Sequence, residues 1–256
     1  DLRRLGTLSG TDEEELLIKH TMFPYTVAFM PASARAALAS KALNFIAGEW
    51  SLSSLTKNVS HGVPFRRVCP ECVKEDIATY GESFWRRTHL LPGVLVCIRH
   101  GAKLRTTEIP LRGRAQAGDT LLPHMVEATS LRTTPTLEKL RTVAEVSVKA
   151  LNLSVSPKEE WRSWYRAQAI NLGYQLPSGD VAGFALARNA YQFYGARFLE
   201  DAGCSISGNA QNHWPALMVR PGSVGPGATS KHVLLQAYFS LEPQVARRDV
   251  HYRARG

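Results

Sequence analysis

The 256-residue chain has no run near the roughly 18–20 consecutive apolar residues that a membrane-spanning helix needs, and its N-terminus shows no basic segment leading into an apolar one. A basic amphipathic helix with Trp, Phe and Leu on its other face is also missing, so a membrane partner is not expected and the reading is cytoplasmic. Enzyme signatures are equally scarce. The chain contains no G-x-x-x-x-G-K-[ST] phosphate loop, no G-x-S-x-G nucleophile elbow and no H-E-x-x-H, which removes the motive for nucleotide hydrolysis or acyl transfer. The acidic run Asp12 to Glu15 suits a helix N-terminus better than a metal triad. Spacing alone does not exclude separated carboxylates holding divalent ions for phosphoryl transfer, yet a binding protein rather than an enzyme is the expectation. Internal repeats are absent and only four cysteines occur. The chain starts at Asp1 without Met and stops at Arg253, Ala254, Arg255 and Gly256, so further sequence at one or both ends is expected.

With 44% apolar and 21% charged residues, the chain can bury a core. Lys and Arg number 31 against 22 Asp and Glu, a net of +9, and the excess lies after residue 60. That balance favours a polyanionic partner, of which nucleic acid is the commonest. Helix signals recur along the chain. Thr11 with Glu14 forms a capping box ahead of Leu16, Leu17 and Ile18, and the segment His20 to Pro24 ends that helix. Ser33 caps an Ala-rich helix that reaches Gly48. Further on, helices are expected from Pro135 to Leu151, from a Ser156-Pro157-Lys158-Glu159 start to Gly173, from Ser178 or Asp180 through Leu199 to Gly203, and from Ser230 to Ser240. Ser51–Gly62 and Arg112–Asp119 read as loops, and Arg220 to Ala228 as a flexible one. The resulting division is an N-terminal helical region over 1–60, a small module over 61–112 and a C-terminal helical domain over 113–256.

Three of the four cysteines fall within that small module. Cys69-Pro70-Glu71-Cys72 and Cys97-Ile98-Arg99-His100 give C-x2-C-x24-C-x2-H, a spacing that suits one structural Zn2+ held by Cys69, Cys72, Cys97 and His100. Two-residue gaps let each turn aim two ligand atoms at one ion. Four protein donors leave no open position, so the metal would be a folding element. A redox pair at Cys69 and Cys72, a disulfide and three unrelated thiols are the competing readings, and none of them calls for the matching Cys97/His100 pair. His61 and His89 flank the module as alternative ligands. Cys204 reads as a small buried residue.

The stretches Phe65 to Cys72, Tyr80-Gly81-Glu82-Ser83-Phe84-Trp85-Arg86-Arg87-Thr88-His89-Leu90-Leu91-Pro92-Gly93 and Val96-Cys97-Ile98-Arg99-His100-Gly101 closely resemble the TniQ family. His20 to Pro24 resembles the corresponding segment of the longer TnsD-type members. The likeness is specific over about residues 16–104 and weaker at Gly173-Tyr174, Tyr194-Gly195 and Trp214. It implies a target-selection component of a DNA transposon, nucleoid-associated in a bacterial cytoplasm, that recognises attachment-site DNA and recruits an AAA+ ATPase regulator. Some members dock instead on an RNA-guided CRISPR effector complex, and a protein-interaction adaptor that does not itself read sequence is the alternative. The implied fold class is mainly α with a small Cys3His zinc-finger module and a helix-turn-helix-like C-terminal region.

Candidate contacts to double-stranded DNA are Arg66, Arg67, Arg86, Arg87, Arg99, Lys103 and Arg105 around the module. Arg162, Arg166 and Arg188 join them from the helix pair around Gly173, where a helix-turn-helix and a plain helical hairpin fit equally well. Pairing of the arginines with Glu71, Glu75, Asp76 or Glu82 is the competing use. For Phe84 and Trp85, burial against the zinc knuckles is preferred over base stacking.

Overall fold

The computed structural model describes residues 2–44, 63–111, 121–131, 135–155, 160–206, 213–222 and 228–241. In chain order, four helices come first: α1 (Leu2–Ser9), α2 (Glu13–His20), α3 (Phe23–Val27) and α4 (Ala32–Leu43). The cap of α2 is Asp12 rather than Thr11, because its carboxylate accepts from both the Glu14 and Glu15 amides at 2.9 and 3.1 Å. Helix α2 stops at Thr21, whose hydroxyl donates to the Leu17 carbonyl and accepts from the Phe23 amide. Pro31, not Ser33, precedes α4, and residues 45–62, with the expected continuation to Gly48 and His61, lie outside the described residues.

The middle of the chain builds β1 (Phe65–Val68), α5 (Pro70–Tyr80), a 3-10 turn (Arg87–Leu90), β2 (Arg105–Pro110), a second 3-10 turn (Pro123–Met125) and β3 (Thr129–Ser130). The strands form an antiparallel sheet in the order β1-β2-β3, with Val68 opposite Arg105 and Arg105 opposite Ser130. Six helices follow: α6 (Leu137–Leu151), α7 (Trp161–Asn171), α8 (Gly183–Tyr194), α9 (Ala196–Asp201), α10 (Trp214–Val219) and α11 (Thr229–Leu241). Thr136 caps α6 by accepting from the Lys139 amide. The Ser156 to Glu159 start expected for α7 lies outside the described residues. Neither Ser178 nor Asp180 caps α8, since it begins only after Ala182, and Gly195 at φ +80° splits the expected single helix into α8 and α9. The architecture is mainly helical, as expected.

One apolar core joins the cysteine module to the last helices. Leu91, Val94, Val96 and Leu104 pack in the same cluster as Leu140, Val143, Tyr165, Leu186, Leu199 and Leu234, all buried. Helix α6 lies along α11, and α3 packs on both. Phe29 stacks on His232 of α11 with ring centroids 4.4 Å apart, and Trp161 meets Phe29 edge-on. Tyr165 is hydrogen-bonded to His232 at 2.7 Å, which satisfies a buried imidazole whose pKa burial pushes down to about 3. Leu17, Phe23, Val27 and Ala42 form a smaller N-terminal cluster.

Gly93, in the Leu-Pro-Gly turn, sits at φ +72°, where a Cβ would stand 3.4 Å from Phe198 and 3.5 Å from Val143. The space is tolerable and the backbone is not. Gly93→Ala is expected to cost about 1–2 kcal/mol, the penalty of a left-handed conformation for a residue with a Cβ. Denaturant titration of both proteins checks this, with an unchanged midpoint contradicting it.

Candidate metal centre

Strand β1 ends at Val68, and Cys69 follows it as the N-cap residue of α5 in extended backbone, so that Cys72 falls in the first helical turn. The first knuckle is therefore a strand-to-helix corner. The second is a tight loop: Gly101 donates to the Cys97 carbonyl and Cys97 to the Ala102 carbonyl, both at 2.8 Å, with Gly101 at φ +64°. Val96 and Lys103 close it as a bridge, and Leu104 donates to Leu95.

The ligand atoms of Cys69, Cys72, Cys97 and His100 all lie within 4.8 Å of one another. The Cys72 and Cys97 sulfurs are 3.6 Å apart, and His100 Nδ1 stands 3.6, 3.4 and 3.6 Å from Cys69, Cys72 and Cys97. A tetrahedron with Zn–S near 2.3 Å and Zn–N near 2.05 Å has edges of about 3.8 Å between sulfurs and about 3.6 Å from sulfur to nitrogen. The observed spacings match those edges. All three sulfurs belong to buried residues, so a bound ion would be shielded from water.

Electrostatics point the same way. Burial pushes the Cys69 and Cys72 thiols up, and the nearby Cys97 sulfur adds to the shift. Burial would raise Cys97 too, but hydrogen bonds from His89 and His100 outweigh it and bring this thiol down to about 5. Three thiols in one dry site thus cannot all ionise without a cation, and a divalent ion is what removes that conflict.

His100 presents Nδ1 to the cysteines while Nε2–H donates to Glu75 Oε1 at 2.8 Å. That contact chiefly lowers the Glu75 pKa and raises that of His100. It fixes the tautomer that leaves Nδ1 free to ligate. Arg99 holds the other carboxylate oxygen at 2.8 Å. From sequence Glu75 was named only as an arginine partner; its contact to His100 was missed, although its place three residues after Cys72 on one helix is a usable signal. Glu75→Gln is expected to weaken metal affinity roughly 10- to 100-fold without abolishing binding, measured by chelator competition. Wild-type affinity would show the contact to be idle. His89 is not in the ligand group; it is buried and serves Cys97 as a donor. Cys204 is buried against the Ser230 hydroxyl, as expected.

Several candidate DNA contacts prove to be internal struts. Arg67 is 5% exposed and donates to the Leu91 carbonyl at 2.6 Å, with burial lowering its pKa to about 10. Arg86 pairs with Asp76 at 2.5 Å and covers the Phe84 ring. Arg87 donates to the Ile18 and Thr21 carbonyls, tying the module to α2. Arg166 donates to the Val219 carbonyl and lies 3.6 Å from Asp180. These four guanidiniums are engaged within the chain, on main-chain carbonyls or on carboxylates. Arg66 lies over the Trp85 ring, and Arg162 and Arg188 are half-buried. Arg99, Lys103 and Arg105 are exposed, Arg99 in its pair with Glu75. Phe84, expected to be buried, is 45% exposed and packs on Tyr80, whereas Trp85 is half-buried and donates to the Leu121 carbonyl.

Helices α7 and α8 are joined by residues 172–182, closed by a Gln175–Val181 bridge, and α10 packs on both. That connection is longer than the three- or four-residue turn of a helix-turn-helix, and the group is a three-helix unit rather than a tight corner. Trp161, Trp164 and Tyr165 are spent on the Phe29 and His232 aromatic cluster. Among the described residues, no helix is long and apolar enough to cross a membrane.

The TniQ family model matches residues 1–104, which contain the whole cysteine and histidine cluster. The transposon Tn7 transposition protein TnsD of Escherichia coli is 26% identical over 210 residues, covering 78% of this chain and 40% of that protein. The chain thus spans well under half the length of this relative. The signature residues and the site they build both lie in residues 1–104, the segment of this chain that is similar to the TniQ domain.

Proposed function

We propose that the chain is a transposon target-site selector that binds attachment-site DNA through a zinc-organised surface and recruits an AAA+ ATPase regulator. The observation that carries the reading is the buried Cys69, Cys72, Cys97 and His100 cluster inside the TniQ-matched segment, with Lys103 and Arg105 exposed immediately beside it. Zinc is the ion proposed, from the donor set and the edge lengths. When bound it supplies no chemistry beyond cross-linking the two knuckles. The residues of the chain do the rest: Glu75 orients His100, His89 supports Cys97, and Lys103 with Arg105 at the start of β2 places cations on a surface beside those knuckles. The net charge of +9 supports a polyanionic partner. Arg66, Arg99, Arg162 and Arg188 are further proposed contacts.

A second reading is an adaptor brought to DNA by an RNA-guided CRISPR effector complex. It is favoured by the inward use of Arg67, Arg86, Arg87 and Arg166, which thins the set of cations able to read bases. The two readings separate in one experiment: zinc-quantified protein is titrated with attachment-site duplex and with scrambled duplex across a salt series. A large affinity ratio between the duplexes, with steep salt dependence for both, is expected of a site reader. Weak binding that is blind to sequence would transfer specificity to a partner and establish the adaptor reading.

A further inference from the structure

Beside the metal centre, a pocket of about 440 Å³ opens between the first turn of α5, the entry to β2 and the edge strand β3. Its lining includes Glu71, Lys74, Lys103, Arg105 and Ser130. Three cations and one carboxylate therefore face a single opening.

Local structure explains why the cations stand there. Lys103 and Arg105 are two residues apart in extended backbone and share a face, while Leu104 between them is buried in the core at 1% exposure. Arg105 is held on both sides, paired with Val68 of β1 and Ser130 of β3. Lys103 is pinned through its bridge to Val96, next to the ligand Cys97. Both are exposed, and neither enters an ion pair among the described residues. Lys74 contacts the Glu71 carboxylate at 3.1 and 3.3 Å.

Lys74, Lys103 and Arg105 give the pocket its positive charge. A tetrahedral dianion or monoanion with several acceptor oxygens is the group that two free cations and a third releasable one can engage together.

We propose that Lys74, Lys103 and Arg105 form the seat for one backbone phosphate of duplex DNA, and that Glu71 is a built-in competitor that holds Lys74 until phosphate takes its place. This rests on the DNA-binding reading and deepens it. The contact positions the duplex and carries no sequence information. Because the seat is built beside the second knuckle and on the β1-β2-β3 sheet, its orientation relative to the rest of the chain is fixed.

The test uses the zinc-loaded full chain, an attachment-site duplex and a scrambled duplex, each titrated over a range of salt concentrations. Lys103→Gln/Arg105→Gln is expected to bind both duplexes more weakly by the same factor and to flatten the salt slope by about 0.9, the loss of one phosphate contact. Glu71→Gln is expected to do the opposite, tightening both duplexes severalfold, since it frees Lys74 and removes the competing charge. Zinc content and thermal midpoint should match wild type in both variants. Wild-type DNA binding with an unaltered slope in the double variant would overturn the seat and leave the DNA-binding reading standing. A loss confined to the attachment-site duplex would also overturn it, assigning these residues to bases instead. Absence of DNA binding by the wild-type chain would overturn both. Inorganic phosphate added as competitor should not displace duplex at concentrations that leave ionic strength unchanged; displacement would mark a site for the free anion.

Discussion

Cys69→Ala or His100→Ala is expected to lose bound zinc and the cooperative thermal transition together. A structural zinc ion contributes about 10–16 kcal/mol in finger peptides near neutral pH, comparable with the roughly 5–15 kcal/mol by which whole domains are stable. Removing one donor opens the site and forfeits most of that contribution. The damage should spread beyond the knuckles, because Cys69, Cys72 and Cys97 share one core with Leu140, Tyr165 and Leu234. Chelator treatment of wild-type protein should reproduce the variant. Acidification acts with the same sign, since thiolate and neutral imidazole are the binding forms and protons displace the metal as pH falls. Zinc quantification with circular dichroism on heating checks all three. One zinc per chain in either variant would remove that residue from the ligand set.

Asp76→Ala is expected to destabilise the chain by about 3–5 kcal/mol, the cost of leaving one partner of a buried ion pair without the other. Asp76 sits on α5 with its side chain 3% exposed, and Arg86 reaches it from the turn after that helix. The same guanidinium lowers the pKa of the Cys72 thiol and covers Phe84. Arg86→Ala should therefore also destabilise, and the double variant should cost clearly less than the two single losses together, the mark of residues in one network. Zinc should stay bound in all three proteins, since no ligand is touched. Denaturant midpoints, read alongside zinc content, decide the matter: single and double costs that simply add would show the pair to be uncoupled.

The metal centre was legible because it depends on spacing. C-x2-C and C-x2-H encode local turns, and a tetrahedral ion needs little more than two such turns brought face to face. Helix α6 was legible for a similar reason, its apolar residues recurring at helical period, while its Thr136 cap came only from the structure. The sheet was not. β1 is only Phe65-Arg66-Arg67-Val68, with two arginines in four residues, and its hydrogen-bonding partner lies some 40 positions away. The roles of the arginines were hidden by the same kind of distance. Whether Arg87 faces solvent or the α2 carbonyls is settled by tertiary packing across 66 and 69 positions, and no local pattern reports it. The Phe84 and Trp85 pair was misjudged for a related reason: the tenth-residue reach from Asp76 to Arg86 turns Phe84 outward and leaves it against Tyr80. Gly195 was visible as a glycine, but only its φ of +80° shows that it separates two helices.

The organising role given to zinc is tested most directly by X-ray absorption at the zinc edge on the purified chain. The expected spectrum contains three sulfur scatterers near 2.3 Å and one nitrogen near 2.0–2.1 Å at one zinc per chain. A first shell of oxygen and nitrogen alone, or a fully loaded spectrum unchanged in His100→Ala, would contradict a Cys69, Cys72, Cys97 and His100 centre and the surface built upon it.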